Sequence, residues 1–180
     1  MRFSLILSLT GTLIAFFGLS FLFPIITGII LGEAITDIAY MFVTPMVFCL
    51  VFGFTFSSYF HIEEDIRNRE AFALVSIAWI VMVLVGAFPY YAAESFGLMS
   101  YQVGIAGAIF ESMSGLTTTG ATIFEIKNEN QVIHSAQYSE GYFDAPKSLL
   151  LWRSQTQWLG GMGIIVLATI IFSRLFGGGI

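Results

Sequence analysis

The stretch from Ser114 to Phe124 reads SGLTTTGATIF and places four threonines and a glycine in the six residues from Thr117 to Thr122. Thr117, Thr118, Thr119 and Gly120 are short and uncharged. β-Branched threonines disfavour helix and favour extended backbone, and a glycine accepts the positive φ that an alternating main chain calls for. Backbone of that kind aims successive carbonyl oxygens at one axis. Such oxygens replace the hydration shell of a monovalent cation, and the number and field strength of the dipoles tune selectivity. The chemistry on offer is main-chain coordination of an alkali ion, with threonine hydroxyls as anchors or added ligands. A bare TTTG serves equally as a polar turn at the tip of a hydrophobic hairpin, so the flanking elements must decide.

Those elements are apolar. The chain has 180 residues, 57% hydrophobic and 11% charged, with 19 phenylalanines. Its mean hydropathy is +0.85. Soluble domains carry about 45–50% apolar and roughly 25% charged residues, so this composition belongs to the integral membrane class. Four stretches are long enough to span: Leu5–Leu31 with Pro24, Ile38–Phe60 with Pro45, Phe72–Tyr91 with Pro89, and Leu149–Phe172. In lipid their backbones are satisfied only as helices. Pro24 predicts a kink or turn. Val103–Met113 is apolar but too short to span, and it leads directly into the threonine–glycine stretch. A short helix followed by irregular backbone is a re-entrant pattern, tolerated at membrane depth only when buried in protein or lining a water-filled cavity. The polar segment Glu125–Lys147 reads as an aqueous loop. The apolar run from Leu5 exceeds a cleavable h-region of about 7–15 residues, so it reads as a retained helix.

Several functions are disfavoured. A net charge of −5 gives no basic footprint for nucleic acid. The lone Cys49 excludes an intramolecular disulfide and a cysteine-cluster metal site, and reads as a small apolar helix residue. His61 and His134 have no second catalytic group spaced near them and read as solvated surface, so the chain reads as no enzyme. Gly160, Gly161 and Gly163 lie inside a membrane helix without a preceding strand, so they are no dinucleotide fingerprint and serve packing or a bend. Trp152 and Trp158 read as interfacial anchors.

Positive residues set the orientation. Arg2, Arg67, Arg69 and Arg174 fall on one side of a four-span chain, and Lys127 and Lys147 on the other. Both termini and the Ile62–Glu70 loop are then cytoplasmic, and the re-entrant loop opens outside. Glu33, Asp37, Glu94, Glu125, Glu129, Glu140 and Asp144 share that outer side. They read either as a negative vestibule that concentrates cations or as ordinary solvated loop charges.

FESMSGLTTTGATIF, from Phe110 to Phe124, resembles the first pore loop of the bacterial Trk-type potassium uptake proteins. LLWRSQTQWLGGMGIIVLA, from Leu150 to Ala168, resembles the helix that follows it. The resemblance extends over essentially the whole chain and reaches the Ktr-type and plant high-affinity transporters. It implies an all-α integral membrane protein: a leading two-helix transmembrane hairpin (1–69), one helix–pore-loop–helix repeat (70–176) with a re-entrant pore helix, and a truncated linker (177–180). It implies that Val103–Leu116 is the pore helix. Carbonyls of Thr118, Thr119 and Gly120, with Thr117 beside them, would supply one quarter of a K+ filter. Plant relatives that favour sodium often carry serine at the filter glycine, so Gly120 points to potassium. Glu111, on the pore helix, is costly unless paired; Arg153 is its expected partner, in support of the filter, unless it is a simple interfacial arginine.

Family members carry four such repeats, so one repeat alone is no complete pore. The expected function is potassium uptake across the cytoplasmic (inner) membrane, with this chain a fragment that needs further pore repeats, from the same longer chain or other copies. K+ is the transported ion, with no covalently bound cofactor. Expected partners are the lipid bilayer and a cytosolic nucleotide-binding regulatory subunit, with no nucleic acid. The competing reading is a non-transporting assembly or regulatory subunit that retains the fold.

Overall fold

In the computed structural model, residues 3–59, 68–99, 102–124, 126–128, 131–133, 142–143 and 145–176 are described. His61, His134, Arg2, Arg67, residues 62–67, Glu125, Glu129, Glu140, Asp144 and the glycine run 177–179 lie outside them.

The first apolar run forms α1 (Phe3–Leu19) and α2 (Leu22–Ile30), parted by a turn at Ser20 and Phe21. The break precedes Pro24 by one helical turn. A proline lacks an N–H and crowds the carbonyl four residues back, here Ser20. Pro24 itself sits in the first turn of α2, where a missing donor costs little. The second run forms α3 (Ile35–Ile38), a π-helical turn over Ala39–Val43, and α4 (Thr44–Tyr59). The wide turn immediately precedes Pro45, and Ala39 O accepts bonds from the Thr44 N–H and hydroxyl. The third run forms α5 (Asn68–Ser95), which stays helical through Pro89. Ser4–Ile30, Ile35–Tyr59 and Arg69–Ser95 are each long and apolar enough to cross a membrane. The short apolar segment forms α6 (Gly104–Leu116), and the last run lies within α7 (Lys147–Phe176). At about 1.5 Å per residue, α7 reaches roughly 45 Å, beyond the ~30 Å hydrocarbon core.

The polar segment contains strand among its described residues. It carries β1 (Ile126–Asn128), β2 (Gln131–Ile133) and β3 (Tyr142–Phe143). They form an antiparallel sheet of order β2-β1-β3, with Ile126 paired to Ile133 and Phe143. Eight residues of strand leave the helical membrane architecture unchanged.

Small residues let the leading helices approach. A Cβ on Gly53 would lie 2.6 Å from Gly11 O, and one on Gly18 2.6 Å from the Cβ of Cys49. Backbone contact of this kind replaces hydrophobic driving force between helices in lipid. Cys49 is fully buried there. Helix α1, the break after it and the π-helical turn close on α7 through an aromatic cluster: Phe21 stacks on Trp152 at 4.3 Å, with Phe17 and Phe42 edge-on to the indole. Trp152 is 0% exposed and its indole N–H donates to Gly86 O at 3.1 Å, so it is a core residue rather than an interfacial anchor. Trp158, one and a half turns on, is 61% exposed. Large apolar side chains such as Phe16, Phe54 and Ile80 face outward, as a bilayer solvent permits.

Candidate ion-coordinating loop

The pore-loop residues hang from the C-terminal end of α6. Glu94 starts that helix: its carboxylate accepts the Gly104 N–H at 2.6 Å. Ser112 pins α6 to α5 by donating to Val83 O at 2.7 Å. At the far end the chain turns back through Thr117 N to Met113 O (2.8 Å), Thr118 N to Gly115 O (2.9 Å) and Thr119 N to Ser114 O (3.0 Å). A helix C-terminus carries about half a negative charge, and α6 delivers it to the four residues that follow.

Backbone there alternates as the residue types demand. Gly120 has φ +75°, and Thr118 has φ 56°, the one non-glycine residue with positive φ among those described. A β-branched residue in that region is a true outlier and costs on the order of 1–3 kcal/mol. Thr117, Thr118, Thr119, Gly120 and Ala121 are all exposed on the surface of this chain. The carbonyls of Thr117, Thr118 and Thr119 accept no hydrogen bond from another described residue. Hydroxyls tie the loop: Thr117 Oγ1 donates to Met113 O at 2.7 Å and lies 2.9 Å from Thr119 Oγ1. Ser114 Oγ donates to Ala121 O at 2.6 Å.

Behind the loop, Glu111 is 0% exposed and pairs with Arg153, which is 16% exposed, at 3.1 Å. One Glu111 oxygen accepts from Thr122 Oγ1 and from the Ile123 N–H, both at 2.6 Å; the other accepts from Arg153 Nε. Arg153 Nη2 then reaches Gly120 O at 2.9 Å and Ala121 O at 3.4 Å. The Gly120 carbonyl thus already has a donor, unlike the three threonine carbonyls before it. Arg153 is therefore part of the loop's backing rather than an interfacial arginine.

The three glycines of α7 separate. A Cβ on Gly160 would land on the Leu116 carbonyl, whereas among the described residues Gly161 and Gly163 would each meet one atom, at 3.8 Å. The described helix runs unbroken from Lys147 to Phe176. Gly160 is a packing residue, with Thr156 seated against Gly115 one turn before it.

Sequence reasoning passed over Ser114, Thr122, Thr156 and Gly115. Ser114 and Thr122 stood inside the stretch already singled out, but nothing in spacing told which hydroxyl turns toward Glu111. Glu33 and Glu94 are bound to helix N-termini, Glu33 to the Ser148 N–H at 3.0 Å and to its hydroxyl. Asp37 accepts from Thr36 Oγ1 at 3.2 Å.

Known proteins resemble this chain in sequence and fold. The chain is 31% identical over 181 residues to a protein of Vibrio parahaemolyticus named Trk system potassium uptake protein TrkH, covering 99% of this chain and 32% of that one. It is 39% identical over 117 residues to the Escherichia coli K12 protein of the same name, covering 65% of this chain and 20% of that one. The crystal structure of the potassium transporter TrkH from Vibrio parahaemolyticus superposes with a TM-score of 0.73 at 30% identity, over 95% of this chain and 32% of that one. The chain thus spans about a third of the length of these full-length relatives. A family model described as TrkH, cation transport protein, matches residues 39–180, and on that match the chain belongs to the TrkH family of cation transport proteins.

Proposed function

We propose that this chain is the N-terminal part of a potassium uptake transporter and supplies one quarter of its selectivity filter. The observation that carries the reading is the exposed run Thr117, Thr118 and Thr119, whose carbonyls accept no hydrogen bond from another described residue, next to Gly120 and Ala121 carbonyls braced by Arg153, itself paired with Glu111. Gly120 follows them with φ +75°, its own carbonyl held by Arg153. Further pore loops, from the same longer chain or other copies, close the ring around K+. The relatives' names, which state potassium uptake, support the choice of ion.

Residues 1–69 act as a leading hairpin, 70–176 as the first repeat and 177–180 as the start of a connection to the next. The distribution of Arg2, Arg67, Arg69 and Arg174 supports cytoplasmic termini, with the loop opening outside the cytoplasmic membrane. A cytosolic nucleotide-binding subunit regulates the assembly. Transport needs no chemistry beyond desolvation and coordination, and no catalytic group takes part.

The test is Gly120→Ser in the full-length protein, reconstituted in liposomes. Serine at positive φ costs about 1–2 kcal/mol and distorts the row, so rubidium uptake should become more sensitive to competing sodium. Unchanged discrimination would remove the filter assignment.

A further inference from the structure

Helix α7 presents two adjacent stripes to two different neighbours. Arg153, Thr156 and Gly160 face the pore loop: they contact Glu111 and Gly120, Gly115, and Leu116. Ser148, Trp152 and Gln155, spaced i, i+4, i+7, face the leading helices. Each contact of this second stripe is specific. Glu33, in the turn after α2, accepts both the backbone N–H and the hydroxyl of Ser148, in the first turn of α7. Donors there are otherwise orphaned, and a carboxylate suits the positive helix end. Trp152 stacks on Phe21 in the break between α1 and α2. Gln155 Nε2 donates to Ser20 O at 2.8 Å.

That last bond has a cause in the sequence. In an unbroken helix Ser20 O would accept from the N–H of residue 24, and residue 24 is a proline. Apart from Gln155, the Phe23 N–H, at 3.3 Å, is the one donor to Ser20 O among the described residues. The carbonyl freed by Pro24 is thus a socket in the leading hairpin, filled by a side chain of α7. Gln155 lies two residues from Arg153, on the same rigid helix. Arg153 holds Glu111 at 3.1 Å and Gly120 O at 2.9 Å, near the ideal for such bonds, so a shift or rotation of α7 by a fraction of an ångström loosens both.

The geometry points to the leading hairpin as a positioning element for the filter, with Gln155 and Glu33 as positioning residues that fix the height and rotation of α7, and through it Arg153. This rests on the filter reading above. Its reach is separate: residues outside the pore repeat set ion discrimination without touching the ion.

Full-length protein in liposomes, assayed by rubidium uptake against competing sodium, tests it. Gln155→Leu should weaken discrimination against sodium several-fold while membrane abundance and uptake at saturating rubidium stay near wild type. Pro24→Ala gives Ser20 O an N–H and so closes the socket. A clamp through that socket predicts that Pro24→Ala alone also weakens discrimination, and that Gln155→Leu adds little to it. Wild-type discrimination in Pro24→Ala would mean that Gln155 only satisfies a stray carbonyl, and the inference is overturned. Should Gln155→Leu fail to accumulate, Glu33→Gln, which loses the charge at the α7 N-terminus but keeps an acceptor, must show a smaller loss of discrimination; wild-type behaviour overturns the inference. Gly120→Ser is the control. If Gly120→Ser lowers discrimination and Gln155→Leu does not, the filter stands and the clamp falls. If neither does, both fall.

Discussion

Glu111 is a carboxyl group enclosed by protein and answered by an arginine, a threonine hydroxyl and one backbone N–H. Removing one partner of such a pair leaves the other uncompensated, at a cost of about 3–5 kcal/mol. Arg153 keeps some exposure, so Arg153→Ala belongs near the lower end. Thermal unfolding of the detergent-solubilised protein should show a clear drop in midpoint, and Arg153→Lys, which keeps the charge but not the fork that also reaches Gly120 O, should fall between. A wild-type midpoint for Arg153→Ala would mean the pair braces nothing. Residue types alone pointed to the backbone conformation of this loop. TTTG announced irregular backbone, and Gly120 does adopt positive φ. They did not disclose that Thr118 shares the left-handed region, or that Gly120 O turns to Arg153 while the carbonyls of Thr117, Thr118 and Thr119 take no donor among the described residues. Carbonyl direction is set by contacts from a helix more than 30 residues away, and no local pattern encodes it.

Packing of α7 against α6 depends on one glycine of three. Gly160→Ala must push α7 away from a backbone carbonyl that cannot yield, and overpacking of this kind costs about 1–3 kcal/mol. Gly161→Ala meets ordinary contact distance and gains about 0.5–1 kcal/mol of helix propensity. The two unfolding midpoints should therefore move in opposite directions; equal shifts would contradict the packing assignment. Hydrophobic run lengths were enough to place every long helix, because lipid leaves the backbone no alternative. Their interruptions were harder to place. The first break falls at Ser20 rather than Pro24, since proline acts on the carbonyl four residues back, and the wide turn before Pro45 gives no signal of its own. Trp152 looked like an interfacial anchor because burial of an aromatic on a membrane helix depends on which neighbour covers it. Here Phe17, Phe21 and Phe42 do so, all from the leading helices.

One pore loop exposes Thr117 through Ala121 on an open side, and the chain spans about a third of its full-length relatives. Two motifs, FESMSGLTTTGATIF and LLWRSQTQWLGGMGIIVLA, sufficed to point to the family, and the family match and the superposition agree with them. A single loop carries no record of the proposed companion loops, because contacts with them would lie between segments. The decisive measurement is anomalous-difference density from rubidium soaked into crystals of the full-length protein. The account predicts a peak in direct contact with the main-chain oxygens of Thr118 and Thr119, on the side away from Arg153. Ordered rubidium elsewhere in the pore, with those oxygens turned to lipid or to protein donors, would contradict it.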